Sequence, residues 1–588
     1  MCTPLYAIAF DPQNREWLHF TSPVRVYTAR SAAEVVSALE EVERASTSEG
    51  LWSVGWISYE AAPAFDPSLQ VREEGAFPKL WFATFEPPTP TTVLSNATLP
   101  EPLSWSPSVT KKEYLRAITS VKEAIARGDT YQTNYSFRLT TPTAPDPIRL
   151  LSQMTKSQGG SYGCLITTDE FSIVSASPEL FFAKNGNSLL TRPMKGTSPR
   201  GRTLEEDGVL ARELQSSLKN RAENIMIVDM TRNDLSRIAH RGSVQWPSVC
   251  SIEKYPPMFQ MTSEVTATTD ASLVEIFTAL FPAASITGAP KAATMRIIAE
   301  EESTPRRIYT GAVGVIAPHE RAWFNVAIRT ALIDYGRGMT EYGVGSGIVW
   351  DSSSDDEYEE CLAKAAAITR SPHGCELFET ILWEPSHGLF LVDEHLDRIS
   401  RGAEYFGWLF ERAQALTTLK DAERELSARD KPFRIKLFLT ADGSFKTEHA
   451  PLQPLPTPYR LSLARHPVSS SDRSLYRKTT DRRAYESAIP QDPTAYDVIL
   501  WNERGEITET KIANIALELD GTLYTPPITS GLLDGCYRRK LLERGEVTER
   551  IVTKEDLARA TRIILLNSVR RSWEAVLCEH SDPPEAHR

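Results

Sequence analysis

The stretch TRPMKGTSPR (191–200) places Lys195 between Pro193 and the Gly196-Thr197 pair, among residues that read as a turn. A lysine in a polar loop ordinarily points into water. Held in a partly desolvated pocket, the same amine loses its proton and becomes a nucleophile. Farther on, Glu357, Glu360 and Lys364 fall at i, i+3 and i+7, so one helical face can present two carboxylates and an amine. Carboxylate oxygens suit a hard cation such as Mg²⁺, which takes one or two protein carboxylates and completes its shell with substrate and water. The same residues also read as a capping box (Ser354-x-x-Glu357) and an ordinary i,i+4 pair (Glu360/Lys364). In GVGSG, Gly345 and Gly347 let a main chain approach closely or simply end a strand. Lys478 stands in KTTDRR, which on its own reads as a basic loop, and Arg398 stands in EHLDRISR, an acceptable surface helix. GLLDGCYRR, a turn running into a helix, offers free amides to a dianionic phosphate.

These residues must be positioned by a large scaffold. The chain has 588 residues, enough for three or four cores of ordinary size or two large ones. Its apolar content of 41% and charged content of 24% are those of a soluble globular protein. A net charge of −12 argues against a nucleic-acid surface, so an anionic substrate must be met by local positive groups. Seven scattered cysteines without CxxC spacing point to a reduced, intracellular chain. No run approaches the ~18 apolar residues of a membrane span and no basic leader opens the sequence, so a cytoplasmic location is expected.

A Pro/Thr-rich stretch (85–108) reads as a loop. After it, Tyr114, Ile118, Val121 and Ile125 recur at helical spacing behind a Thr110/Glu113 capping box, with Gly128 as the stop. YTGAVGVIAP, WFNVAIRTALI and EYGVGSGIVW each read as a strand, and SDDEYEECLAKAAAITR as a helix. SPHG (371–374) punctuates the chain, and a new strand, CELFETILWE, and a new helix, DEHLDRISRGAEYFGW, follow. The domain boundary is therefore expected near 371, giving residues 1–370 and 371–588, with no internal repeat.

SASPELFF (175–182), the opening stretch, LKNRAENIMIVDMTRNDLSRIA (218–239) and FPAASITGAPKAATMRII (281–298), with IYTGAVG, IRT, GVGSGIVWDS and EYEECLAKA, together resemble the chorismate-utilising enzymes. That group includes the anthranilate, isochorismate, salicylate and aminodeoxychorismate synthases. The resemblance runs from about 110 to 370, and 1–109 looks like the N-terminal part of the same fold. It implies Mg²⁺ held by Glu223 and Glu360, with Glu357 beside them. It also implies chorismate carboxylates met by Arg329, Tyr309 and the amides around Gly345 and Gly347, with Thr287 and Gln132 in the binding set. Glu179 matches the general acid for loss of the ring hydroxyl, a role that suits a carboxyl of raised pKa. Where relatives that use water carry a lysine base, this chain has Gln132, which cannot serve. Lys195 stands where anthranilate synthases carry alanine and aminodeoxychorismate synthases carry the lysine implicated in attack at C2. Gln260 replaces a histidine found in many relatives.

Residues 375–577 resemble the fold-type IV pyridoxal-phosphate enzymes through LFETI, DEHLDRI, LYRKTTDR, VILWNERGEITETKIANIAL, LYTPPITSGLLDGCYRRKLL and IILLNSVR. The resemblance implies pyridoxal 5'-phosphate carried on Lys478, its pyridine nitrogen paired with Glu509, and its phosphate held by Arg398 and the turn carrying Cys536 and Tyr537, with Ser568 nearby. Transaminases of that group usually carry Asn-Tyr after the lysine. Here Arg482 stands four residues on, as in aminodeoxychorismate lyases.

The expected architecture is α/β (α+β): a large two-sheet chorismate-binding domain with outer helices, then a two-subdomain fold-type IV domain. The expected chemistry is amination of chorismate to 4-amino-4-deoxychorismate, then elimination of pyruvate to give p-aminobenzoate for folate synthesis. Ammonia would come from a separate glutamine amidotransferase subunit, and the second domain could pair as a homodimer. An anthranilate-type synthase joined to a branched-chain- or D-amino-acid-like transaminase is the alternative within the same class. A non-catalytic scaffold is the alternative outside it, disfavoured by intact lysine and glutamate positions in both halves.

Overall fold

In a computed structural model, residues 5–73, 75, 77–94, 103–159, 162–369 and 375–578 are described. The chain divides into two compact units, Met1–Arg200 with Leu210–Pro372, and Gly201–Val209 with His373–Arg588. SPHG (371–374) lies outside the described residues.

The first unit is built on two ten-stranded sheets. One sheet runs, in spatial order through its longer strands, Gln132–Thr141, Met339–Ile348, Thr330–Asp334, Phe171–Ser177, Tyr162–Thr167, Tyr6–Asp11 and Glu16–Thr21. The other runs Met194–Pro199, Met258–Thr268, Ser188–Arg192, Leu180–Asn185, Arg321–Val326, Ala312–Ala317, Trp52–Ile57, Leu80–Phe85 and Arg25–Ala29. Several strands, such as Tyr162–Thr167 and Leu80–Phe85, are buried along their whole length. Apolar side chains of one sheet (Phe20, Ile166, Phe171) pack with those of the other (Trp56, Trp81, Val313) into one core. Trp56 stacks on Trp81 with ring centroids 4.8 Å apart. Full burial of such a ring contributes about 2–3 kcal/mol of transfer free energy.

Helices cover the outer faces. Lys111–Ala126 begins as its sequence dictates: Thr110 Oγ1 accepts from the Glu113 N–H, and the Glu113 carboxylate accepts from the Thr110 N–H. Its buried Tyr114, Ile118 and Val121 pack under the first sheet with helix Ser354–Thr369. The capping box expected at Ser354 does not form. The Glu357 carboxylate accepts instead from Ser352 Oγ at 2.8 Å, so its side chain turns back toward the preceding turn.

Two sequence expectations need correction here. WFNVAIRTALI is not one strand: it divides into Arg321–Val326 and Thr330–Asp334, which belong to different sheets. The break falls at Arg329, whose φ of +49° no extended strand accommodates. Nor is Lys195 in a simple turn. Met194–Pro199 is a strand paired with Met258–Thr268, and its register slips between Met194 and Thr197, around Gly196 at φ +95°. That irregularity lifts Lys195 out of ordinary alternation.

The second unit has a four-stranded sheet, with Leu377–Glu384 beside Phe433–Leu439, packed on helices Val392–Phe406 and Arg412–Leu426. An eight-stranded sheet, which includes Ile507–Thr510 and Asn514–Leu519, forms the other subdomain.

Candidate functional sites

The register slip at Lys195 faces a cavity of about 230 Å³ in the first unit. Strands Met194–Pro199 and Met339–Ile348 and helices Leu218–Ser236 and Ser354–Thr369 contribute its walls. Glu179, Lys195, Glu223, Tyr309, Arg329, Gly345, Gly347, Glu357 and Glu360 all line it, although they span some 180 positions of sequence. Lys195 keeps part of its surface open to the cavity, yet burial lowers its pKa below the ordinary lysine value against the opposing pull of Glu223 and Glu360. Glu179 is 3% exposed, and its Oε1 accepts from Ser285 Oγ at 2.6 Å. Burial raises its pKa to about 7, which keeps a substantial fraction protonated near neutrality. An amine of lowered pKa and a carboxyl of raised pKa therefore share one cavity.

Arg329 is buried at the point where the chain passes from one sheet to the other. Tyr309 lies under the Arg138 guanidinium at 4.8 Å, and Gly343 leaves room for its ring. Gly347 answers a close approach: a Cβ there would collide with Lys195 Nζ and stand 2.8 Å from Gln132 Nε2. Gly347→Ala is thus expected to displace a flexible side-chain end and not the backbone. The melting temperature should stay within about 2 °C while catalytic turnover falls more than about tenfold. Unchanged turnover would refute the positioning of Lys195 by this strand.

Two expected residues stand apart. Thr287 Oγ1 is tied to the Ala283 carbonyl at 3.1 Å, and the residue does not line the cavity. Gln132 is buried behind Gly347, with neither side-chain polar atom hydrogen-bonded. Ser285, Lys219, Asn220 and Tyr342 do line the cavity and were not singled out from sequence, since none has a distinctive spacing. Gln260 lines it too.

The carboxylates fit a divalent cation only with help from a ligand. Glu360 is held ionised by Lys364, 2.8 Å away, and Lys364 also donates to the Gly345 carbonyl. Glu223, Glu357 and Glu360 share the cavity wall without converging on one point, so substrate and water oxygens would have to complete a shell. Among the described residues, the group that does converge is Glu379, His395 and Cys536 in the second unit. There Arg398 already clasps Glu379 through Nε (2.8 Å) and Nη2 (2.5 Å), which makes that carboxylate a poor metal ligand.

A second cavity, about 340 Å³, lies wholly within the second unit. Lys478, Glu509, Arg398, Cys536 and Ser568 line it, whereas Tyr537 packs toward Phe390 and does not. Burial, with Arg398 nearby, lowers the Lys478 pKa to about 8, and its amine sits 4.9 Å over the Phe378 ring. Glu509 is pushed up to about 7 by burial while accepting from Tyr485 Oη (2.8 Å), Asn514 Nδ2 (3.1 Å) and the Leu533 N–H (3.0 Å). Tyr485 and Asn514, unforeseen in the sequence, thus fix the carboxylate in place. Arg398 also donates Nη1 to the Asp534 carbonyl at 3.0 Å, so it is a positioned but partly engaged anion donor. His395 donates to Glu379 through Nδ1 at 2.7 Å; burial opposes its protonation, but Cys536 and Glu379 outweigh it and hold the pKa at about 9. Its buried Nε2 has no partner. The first residue of helix Cys536–Glu543 and Gly535 before it bring free amides to the same wall. An amine of lowered pKa, a buried carboxylate and an anion-binding helix start around one cavity fit pyridoxal phosphate.

Residues 89–370 match the model of the chorismate binding enzymes, and 376–576 that of the class IV amino-transferases. Aminodeoxychorismate synthase component 1 of Bacillus subtilis is 35% identical over 326 residues, covering 55% of this chain and 67% of that protein. The chain belongs to the chorismate-binding enzymes. This chorismate-binding enzyme is also 41% identical over 255 residues to an anthranilate synthase component 1 of Haloarcula marismortui, covering 43% of the chain and 50% of the relative. It thus spans between half and two thirds of the length of these relatives. The crystal structure of anthranilate synthase component I from Streptococcus pneumoniae shares the fold, with a TM-score of 0.51 at 23% identity over 63% of this chain and 91% of that one. The class IV domain follows the chorismate-binding domain in the same chain. No helix among the described residues is long and apolar enough to cross a membrane.

Proposed function

We propose that the first unit aminates chorismate at C4 and that the second removes pyruvate from the product, releasing p-aminobenzoate. The observation that carries this reading is a desolvated Lys195 in the same cavity as a proton-bearing Glu179. The neutral Lys195 amine attacks C2, both ring double bonds shift, and the C4–O bond breaks as Glu179 gives its proton to the departing hydroxyl, which leaves as water. Ammonia then forms the C4–N bond, both double bonds return, and the C2–N bond to Lys195 breaks. The proton shed by ammonia restores Glu179. Arg329 and Tyr309 hold one substrate carboxylate, and Mg²⁺ bound by Glu223 and Glu360, with Glu357 beside them, would anchor the other. Gln132 stands where a water-activating amine would be needed, which favours ammonia over water.

In the second unit, pyridoxal phosphate supplies an electron sink when bound. Lys478 would hold it and then take the C4 proton of the aminated substrate. Glu509, fixed by Tyr485 and Asn514, would pair with the pyridine nitrogen and keep it protonated. Arg398, the amides at Cys536 and the Ser568 hydroxyl would meet its phosphate. We assign ammonia supply to a separate glutamine amidotransferase subunit, and the second unit to a homodimer.

The anthranilate-type alternative is less favoured, since the 326-residue alignment is to an aminodeoxychorismate synthase component and the anthranilate synthase alignment spans 255. Incubating the protein with chorismate, Mg²⁺ and ammonium should yield p-aminobenzoate and pyruvate. Anthranilate as the product would overturn the reading.

Glu179 also sets a pH dependence. Its folded pKa of about 7 means the acid form is lost as pH rises through 7. At constant free ammonia, loss of that acid form should bend the pH profile of kcat/KM for chorismate downward at a break near 7. Glu179→Gln should lower the rate by roughly two orders of magnitude or more and erase that break. A break surviving the substitution would assign it to another group.

A further inference from the structure

Tyr342 sits in strand Met339–Ile348, in register with Leu139 on one side and Ala331 on the other. It is 1% exposed, and its hydroxyl has no hydrogen-bond partner. A buried hydroxyl without a partner costs free energy that phenylalanine at the same position would avoid. Nothing in the packing of the strand calls for that oxygen. The ring belongs to the apolar cluster formed with Tyr114, Phe137 and Val344. The residue also lines the 230 Å³ cavity beside Tyr309 and Arg329.

The two groups that act on it electrostatically are the Arg329 guanidinium and the Tyr309 phenol. Burial raises its pKa against the pull of Arg329, so the phenol stays neutral and keeps its proton to donate. The wall therefore carries a guanidinium, two residues before Tyr342's register partner Ala331, and the residue with the orphaned O–H donor, with the carboxylates Glu223, Glu357 and Glu360 contributed by other elements. An acceptor-only group with two oxygens suits that pair: a carboxylate can accept from the guanidinium through one oxygen and from the phenol through the other.

We infer that the Tyr342 hydroxyl is a substrate-binding donor that, together with Arg329, grips one carboxylate of the dianionic substrate. This rests on the proposal that the cavity takes chorismate. The residue then determines affinity and not bond making, because a carboxylate remote from C2 and C4 is bound alike before and during the reaction.

Tyr342→Phe separates this role from a structural one. The variant should melt at the wild-type temperature or above it, since an unsatisfied polar atom has been removed. Its Kd for chorismate, titrated with Mg²⁺ and without ammonia, should rise about tenfold, and KM should rise in parallel while kcat stays within about twofold. The stabilisation conferred by saturating chorismate should shrink accordingly. A wild-type Kd and KM in the variant would overturn the inference. So would a lowered melting temperature with loss of kcat and an unchanged Kd, which would mark the hydroxyl as structural. If the wild-type protein neither binds nor aminates chorismate, the functional reading of the cavity fails, and this inference with it. If the wild type is active and Tyr342→Phe equals it, the inference alone fails.

Discussion

Lys195→Ala should reduce formation of 4-amino-4-deoxychorismate by roughly three orders of magnitude or more, while chorismate still binds. Desolvation lowers the pKa of this cavity-lining amine, which favours the neutral form that attack at C2 requires. Removing it leaves Glu179, Arg329 and the carboxylates in place, so the loss should appear in kcat with little change in KM. Product analysis decides the matter. Anthranilate from the variant would support the assignment, since C2 would then be open to ammonia. Near-normal turnover to the C4 amine would refute it. Stability should hold or improve, because a partly buried amine leaves a site that was costly to desolvate.

Lys478→Ala should abolish the absorbance of bound cofactor and make 4-amino-4-deoxychorismate accumulate from chorismate and ammonia. The elimination rate should fall by at least about a thousandfold, since anchor and proton acceptor are the same atom. Glu509→Ala is expected to retain the cofactor absorbance and to slow elimination by less, because aromatisation of the product supplies driving force of its own. Conversion to p-aminobenzoate and pyruvate at the wild-type rate in Lys478→Ala would exclude the lyase assignment. Rapid amino-group exchange between amino acids and 2-oxo acids by the wild type would favour the transaminase alternative.

Much of this was readable from residue order. The Thr110/Glu113 cap, the helix behind it, the helical face carrying Glu357, Glu360 and Lys364, and the cavity positions of Lys195 and Lys478 all follow from local spacing or motif. What escaped depends on tertiary geometry. Arg329 breaks an otherwise continuous apolar run through a backbone conformation that sequence periodicity does not encode. Glu357 accepts from the Ser352 hydroxyl instead of closing a capping box on the Ser354 N–H, two donors that both lie near it in sequence. Tyr485 and Asn514 reach Glu509 from 24 and 5 positions away, and neither residue type at those distances signals a shared site. Ser285 bonds Glu179 across 106 positions. Thr287 was expected at the substrate and spends its hydroxyl on a turn of its own chain.

The crossing at Arg329 has a thermodynamic side. The three residues Ala327–Arg329 join strands of opposite sheets, so the side chain assigned to the substrate carboxylate is anchored to both halves of the sandwich at once. Local fraying of either sheet at that seam would move the guanidinium, and a ligand that immobilises the guanidinium must in turn oppose fraying of both. Ligand binding and cooperative unfolding of the first unit are therefore linked functions. Substrate should slow amide exchange deep in strands that never touch it, on both sides of the sandwich together.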